Sequence, residues 1–296
     1  MMESVTLQCP AKLNLYLKVL AREETGYHQI ETLFQRLDLE DTLTVSHAES
    51  GVAFECSTDA GEEGQWDIGP PEENTVVRAA RSFLEEAGIS SGVSVRLTKR
   101  IPAGTGLGGA SSDAAGALLA MNRLFGEPVG GAALLEIGGR VGADVPFFLT
   151  GATLAWAWGR GGRVLPIRPL PPRPIVVVVP STRISTAQAY AALSQALHLP
   201  RPPERLPGPD PLSWDEVSRV QWNDFEGVAF PEAPGLQRIR EDLERGGAFI
   251  ARMTGSGSAL FGVFDAQDTA ESAAHGFAGR EDVDHVMITA TASSPA

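Results

Sequence analysis

Between Val93 and Phe125 the chain reads as an alternating strand, a glycine-rich turn and a helix of small residues. Val93, Val95 and Leu97 alternate with Ser94, Arg96 and Thr98, which predicts a half-buried antiparallel strand. The turn is Ile101-Pro102-Ala103-Gly104-Thr105-Gly106-Leu107-Gly108-Gly109-Ala110-Ser111-Ser112-Asp113. A backbone without Cβ atoms can wrap closely round a phosphate and aim several N–H groups at it. A helix that starts there adds unpaired amides and the positive end of its dipole. Ser111-Ser112-Asp113 suits such a start, so a helix is predicted over Asp113 to Phe125. Its Ala114, Ala115, Gly116, Ala117 and Ala120 permit close packing against a sheet. The alternative is a flexible Gly/Ser loop.

Two better-known phosphate loops do not fit. Walker A requires a lysine after its glycines, and none follows here. Gly104-Thr105-Gly106-Leu107-Gly108-Gly109 satisfies the dinucleotide pattern G-x-G-x-x-G, but a Rossmann strand should be continuously apolar and followed by a second βαβ strand. Here the preceding strand alternates, and Ala132 to Val141 looks helical again.

Charge narrows the function classes. The formal net charge is −13, which disfavours nucleic-acid partners, since these rely on Lys and Arg neutralising phosphates. A site for an anionic substrate must concentrate its few cations locally, and lysine occurs only at Lys12, Lys18 and Lys99. Cys9 and Cys56 have no metal-type spacing and form no disulfide framework, and the five histidines are scattered, so no metal site is expected. No apolar run approaches 18 residues and no signal peptide is visible, which predicts a soluble cytoplasmic protein without a membrane partner.

Strands and helices interleave in both halves of the 296 residues, which predicts an α+β fold in two domains, 1–165 and 166–296. Val5 to Val19 reads as one or two strands interrupted at Pro10; Leu33 to Leu43 and Thr44 to Glu55 are also extended. From Glu55 to Glu73 seven acids and no base mark an exposed loop. Asn74 to Ala87 has helical spacing. Prolines crowd positions 166–174, a connector, and Pro200 to Pro211 is a second proline-rich loop. Ile175 to Val179 is a buried strand by its continuous apolar run. Ser185 to Leu197, Leu236 to Arg245 and Ala270 to Ala278 read as helices, and Phe249 to Phe264 as two strands around a glycine turn.

Other short motifs are modest taken singly. Lys12 and Asn14, two residues apart on a strand, share a face, with Ala11, Leu13 and Leu15 toward the core. Lys12 could equally be a solvated strand residue. Gly26-Tyr27-His28 could be an ordinary turn. Asp144, in Gly142-Ala143-Asp144-Val145-Pro146-Phe147-Phe148, is either a helix cap or a buried acid in need of a cation. Met253-Thr254-Gly255-Ser256-Gly257-Ser258 is a second glycine turn without the pattern of a nucleophile elbow.

Together these motifs resemble the GHMP kinase superfamily: Pro-x-Lys-x-Asn near the start, the glycine-serine loop in the middle and the glycine turn near the end. The segments Pro10 to Gln35, Ile101 to Leu118, Gly142 to Phe148 and Asn223 to Glu226 are similar to the branch that phosphorylates the cytidine diphosphate derivative of methylerythritol in the non-mevalonate isoprenoid pathway. Ala110 stands where that branch usually has glycine, and Thr254 where it commonly has serine.

The resemblance implies an N-terminal domain like ribosomal protein S5 domain 2 and a ferredoxin-like C-terminal domain, with the site in the cleft between them. It implies ATP as donor, with its phosphates on Pro102, Ala103, Gly104, Thr105, Gly106, Leu107, Gly108, Gly109, Ala110, Ser111 and Ser112, and adenine near Asn74 and Lys99. Lys12 and Asp144 would flank the substrate 2-hydroxyl as catalytic residues, Asn14 and Tyr27 would help hold the substrate, and the cytidine ring would sit between His28 and Tyr190. Mg²⁺ is expected with the nucleotide, with ligands not legible, and the enzyme would be a monomer or homodimer. The rival readings are another GHMP kinase acting on mevalonate, homoserine or a sugar, and an inactive nucleotide-binding sensor. Small aliphatic alcohols need no aromatic clamp, and a sensor needs no Lys12–Asp144 pair.

Overall fold

Alternation along the first 48 residues produces two long antiparallel strands, β1 (Ser4–Arg22) and β2 (His28–Ala48), joined by a tight turn at 23–27. The computed structural model describes residues 3–59, 70–196 and 213–293, so residues 60–69 of the acidic segment, the loop Pro200 to Pro211 and Leu197 lie outside it. Pro10 does not interrupt β1. It sits where the β1–β2 register shifts, between Pro10 and Lys12, and a bulge tolerates a residue that cannot donate to the ladder.

Strand β3 (Val52–Thr58) runs parallel to β4 (Gly92–Lys99), and the crossover that parallel pairing requires contains helix α1 (Thr75–Glu86), capped by the Asn74 side chain. Strand β4 then pairs antiparallel with the C-terminal half of β2, as its alternation predicts. The other half of β2 pairs with β5 (Leu154–Gly159), which continues to β6 (Arg163–Pro166). Helices α2 (Gly109–Leu124), α3 (Gly131–Val141) and α4 (Val145–Leu149) close this first sheet on one face. Helix α2 approaches β1 so closely that a Cβ on Gly116 would lie 2.4 Å from Cys9 Sγ.

Strand β7 (Pro174–Pro180) begins a four-stranded sheet whose other strands follow helices α5 (Thr186–Ala196), α6 (Trp214–Val220) and α7 (Glu226–Glu232) in the chain. Its order is β11-β7-β10-β9, with β9 (Ile250–Met253), β10 (Leu260–Val263) and β11 (Val283–Ala290), all antiparallel. The unbroken apolar run of β7 has a simple cause. Val176 and Val178 face helices α8 (Pro234–Arg245) and α9 (Gln267–His275), while Ile175, Val177 and Val179 pack on Ala11, Leu13 and Leu15 of β1. Both faces are covered, so neither can be polar.

The two sheets therefore share a core, and the fold is α+β. Two residues of the later half, Trp222–Asn223 (β8), pair parallel beside β1 in the first sheet, and Leu37 bridges to Thr291. Among the described residues no helix is long and apolar enough to cross a membrane.

Candidate active site

The glycine loop leaves β4 at Lys99 and enters α2 at Gly109, four residues before the predicted start at Asp113. Gly104, Gly106 and Gly108 have φ of +69°, +85° and +77°. These left-handed residues, alternating with ordinary ones, fold the backbone into a concavity of N–H groups. Gly108 caps α2 with no side chain, so the first amides of a 16-residue helix stay open toward that concavity. A serine cap would have consumed one of them, which is why Ser111 and Ser112 lie inside the first turn instead of before it.

The loop is pinned from both sheets. Leu107 O accepts from Lys12 N at 2.8 Å, Thr105 O from Ala259 N at 3.1 Å, and Gly106 O from Thr254 Oγ1 at 3.2 Å. A Cβ on Gly106 would stand 2.2 Å from Thr254 O, so only glycine fits. The loop lines a cavity of about 570 Å³ together with Asn74, Lys99, Lys12, Asn14 and Asp144. Ser111 faces this cavity. Ser112 corrects the expectation that both hydroxyls reach the phosphates: it is 1% exposed, does not line the cavity, and its Oγ has no partner.

Lys12 and Asn14 do share a face. The Lys12 ammonium donates to Asn14 Oδ1 at 2.7 Å and to Gly106 O at 2.9 Å, and stands 3.4 Å from Asp144 Oδ2. Asn14 is fixed in turn: its Nδ2 donates to Thr32 Oγ1 at 2.8 Å and its Oδ1 accepts from Gly255 N at 2.8 Å. The pair reverses the expected burial, because the Lys12 side chain is 3% exposed and that of Asp144 27%. Burial lowers the Lys12 pKa and the Asp144 charge opposes that shift. Asp144 precedes α4 without a side-chain cap bond, so its carboxylate is spent on Lys12 and the cavity rather than on the helix.

A second cavity, about 1110 Å³, shares Ala143 and Tyr190 with the first and is bordered by Tyr27 and His28. The His28 and Tyr190 rings lie 4.7 Å apart at 34°, in contact with each other. A ring inserted between them needs roughly 7–8 Å, twice a van der Waals separation. The expected slot between these two rings is therefore closed in this structure. His28 Nε2 lies 2.8 Å from Ser194 Oγ, and burial lowers the His28 pKa. Burial and the nearby Asp144 charge push the Tyr190 hydroxyl up to about 12. Tyr27 is 59% exposed, with the Arg160 guanidinium 4.0 Å from its ring centroid.

Lys99 lines the first cavity but is already engaged. Its ammonium donates to Asp41 Oδ2 and, at 2.6 Å, to Asp113 Oδ2, all three side chains being buried. Asp41 Oδ1 accepts from Arg100 N and Ile101 N, the first amides of the loop. Burial and then the Asp41 charge push the Asp113 carboxyl up to about 8 against the pull of Lys99. Sequence reading gave neither acid a place in the site: Asp41 belongs to no motif, and Asp113 reads as part of a helix start. Asn223, Asp224 and Glu226 form a clasp that sequence reading left without a role. Asn223 Nδ2 donates to Met253 O and Gly255 O, Asp224 Oδ2 accepts from Val19 N, and Glu226 Oε1 accepts from Met253 N. Among the described residues no group of His, Cys, Asp and Glu could hold a metal by itself.

Residues 74–152 match the family described as GHMP kinases N terminal domain, and residues 212–280 match GHMP kinases C terminal. The chain is 40% identical over 263 residues to a 4-diphosphocytidyl-2-C-methyl-D-erythritol kinase of Solibacter usitatus, covering 87% of this chain and 80% of that protein. It is 38% identical to one of Geobacter metallireducens, covering 95% and 96%. A crystal structure of a 4-(cytidine 5'-diphospho)-2C-methyl-D-erythritol kinase superposes with a TM-score of 0.78 at 37% identity, over 98% of this chain and 100% of that one. A homoserine kinase from Cytophaga hutchinsonii gives 0.67 at 18% identity, over 99% and 95%, which is a likeness of fold.

Proposed function

Since the chain belongs to the GHMP kinases and, within them, to the 4-diphosphocytidyl-2-C-methyl-D-erythritol kinase family, we propose how its residues divide that family's chemistry. The protein is an ATP-dependent kinase of the non-mevalonate isoprenoid pathway, phosphorylating the 2-hydroxyl of 4-diphosphocytidyl-2-C-methyl-D-erythritol. The observation that carries the residue assignment is the meeting of Lys12 and Asp144, 3.4 Å apart, against the glycine loop.

Amides from Gly104 to Ser111 hold the ATP phosphates, and the Ser111 hydroxyl joins them. Asn74 borders the adenine. Lys99 supports that side through its pairing with Asp41 and Asp113 rather than by a free charge. The substrate hydroxyl lies between Asp144 and the γ-phosphate. Its oxygen attacks phosphorus, the bond to the β,γ-bridging oxygen breaks, and the proton passes to Asp144 Oδ2. Such base assistance supplies about 10²–10⁴-fold. Lys12 neutralises charge spreading over the transferred group, and positioning does most of the rest. Asn14 fixes the Lys12 ammonium, while Tyr27 and the His28–Tyr190 pair hold the cytidine half, the base stacking on the open side of that pair.

Mg²⁺ takes oxygen ligands, commonly one or two carboxylates with phosphates and waters. Ser111 lines the cavity beside the phosphate amides and could offer its hydroxyl oxygen to the ion, the remaining ligands being phosphates and waters, which leaves Asp144 free as the base. The ion would shield the phosphate charge. Residues 1–165 and 166–296 form the two domains, and one chain lines both cavities, so a cytoplasmic monomer or homodimer carries complete sites. The test is ADP release with the cytidylated substrate against mevalonate, homoserine and sugars. A preference of at least about 10³-fold is expected; comparable turnover of a small alcohol would overturn the assignment.

A further inference from the structure

The second cavity is lined by four arginines and, among the described residues, by no Asp or Glu. That is a strong local reversal in a chain with 37 acids and 24 bases. The four come from separate elements: Arg22 ends β1, Arg78 lies on α1, Arg140 on the last turn of α3, and Arg160 in the β5–β6 turn. Two of them have partners. Arg160 is engaged with Glu23 and the Tyr27 ring, and Arg140 stands 3.9 Å from Glu86. Arg22 and Arg78 form no ion pair with any described residue. Two guanidinium groups without an ion-pair partner lining one cavity make a receptor for an anion with several oxygens, which a planar fork of donors matches bidentately.

Position identifies the anion. The cavity touches the reacting site through Ala143, the neighbour of Asp144, and through Tyr190. A substrate with its hydroxyl at Asp144 and its base at the His28–Tyr190 pair must carry its diphosphate along that shared wall. We propose that Arg22 and Arg78 clamp the diphosphate of the cytidylated substrate. This inference rests on the substrate assigned above. It divides the two polyphosphates between two kinds of site: backbone amides for ATP, guanidinium groups for the acceptor.

The test is calorimetric titration of CDP, cytidine and inorganic pyrophosphate, with the glycine loop filled by a non-hydrolysable ATP analogue. Arg22→Gln and Arg78→Gln are compared with wild type and with Arg96→Gln, a charge control paired only with exposed Glu55 on another part of the sheet. Each cavity variant is expected to weaken CDP about tenfold, or ~1.4 kcal/mol, and to leave cytidine within twofold. Arg96→Gln should change neither. Unchanged CDP affinity in both cavity variants, or equal weakening of CDP and cytidine, would overturn the clamp. Failure of the substrate assignment looks different. CDP would then bind no more tightly than pyrophosphate, and the pyrophosphate titrations would still report whether the two arginines hold an anion.

Discussion

Lys99→Met tests the buried network beneath the glycine loop. The substitution keeps the length of the stem and removes an ammonium that serves Asp41 and Asp113 together. Breaking a buried pair by deleting one partner costs about 3–5 kcal/mol, because the charge left behind is uncompensated. Set against a typical total of about 5–15 kcal/mol, that is a large share of stability. At roughly 2–4 °C per kcal/mol for a chain of this size, the melting temperature should fall by about 6–20 °C. The sign of the pH dependence follows from the orphaned acids. Asp113, already pushed up to about 8 beside Lys99, rises further without it, so the variant's extra loss of stability is absent well below pH 8 and grows as pH rises past it. Scanning calorimetry at pH 6 and pH 9, on either side of the Asp113 value, reads both quantities. The deficit should be smaller at pH 6. A fall of under about 3 °C, or an equal deficit at both pH values, would refute the claim that Lys99 is held by two ionisable partners. The KM for ATP should rise too, since Asp41 also holds the Arg100 and Ile101 amides.

Gly106→Ala places a Cβ 2.2 Å from Thr254 O at a φ of +85°. The left-handed conformation alone costs about 1–2 kcal/mol, and ATP titration should show at least tenfold weaker binding. Unchanged affinity would mean that the loop yields without consequence. Asp144→Asn removes the charge that opposes the burial-driven fall in the Lys12 pKa. The alkaline limb of residual kcat/KM should therefore move to lower pH, and an unmoved limb would detach Lys12 from Asp144. Tyr190→Ala should raise the KM for the cytidylated substrate about tenfold or more through lost stacking, while leaving the KM for ATP within about twofold. Equal effects on both would assign Tyr190 to the cleft as a whole.

Much of this site was legible because it is local. The glycines of the loop and the two-residue spacing of Lys12 and Asn14 fix their own geometry, and β1 delivers the pair to one face as a strand must. The continuous run of β7 marked a strand covered on both sides. What stayed hidden depends on distance along the chain. Asp41 and Lys99 are 58 residues apart, and nothing in Asp38-Leu39-Glu40-Asp41 distinguishes the buried acid from exposed Asp38 and half-buried Glu40. The boundary of α2 was misplaced for a physical reason: the usual side-chain cap would block amides that the site leaves open, so a left-handed glycine caps the helix. Asp144 reads in sequence as a helix cap or a buried acid in need of a cation; in the structure it stands 3.4 Å from Lys12, and the buried member of that pair is the lysine. The contact between His28 and Tyr190 depends on how α5 packs over the first hairpin, which no local pattern encodes.

The most direct measurement is a double-mutant cycle on turnover with ATP and the cytidylated substrate, using Lys12→Ala, Asp144→Ala and the double variant. Groups that act together on one hydroxyl are strongly non-additive. Each single substitution should cost about 10²–10⁴-fold, and the double should fall no more than roughly tenfold below the worse single. A double variant whose loss equals the product of the two single losses would contradict the account, because the ammonium and the carboxylate would then be working independently.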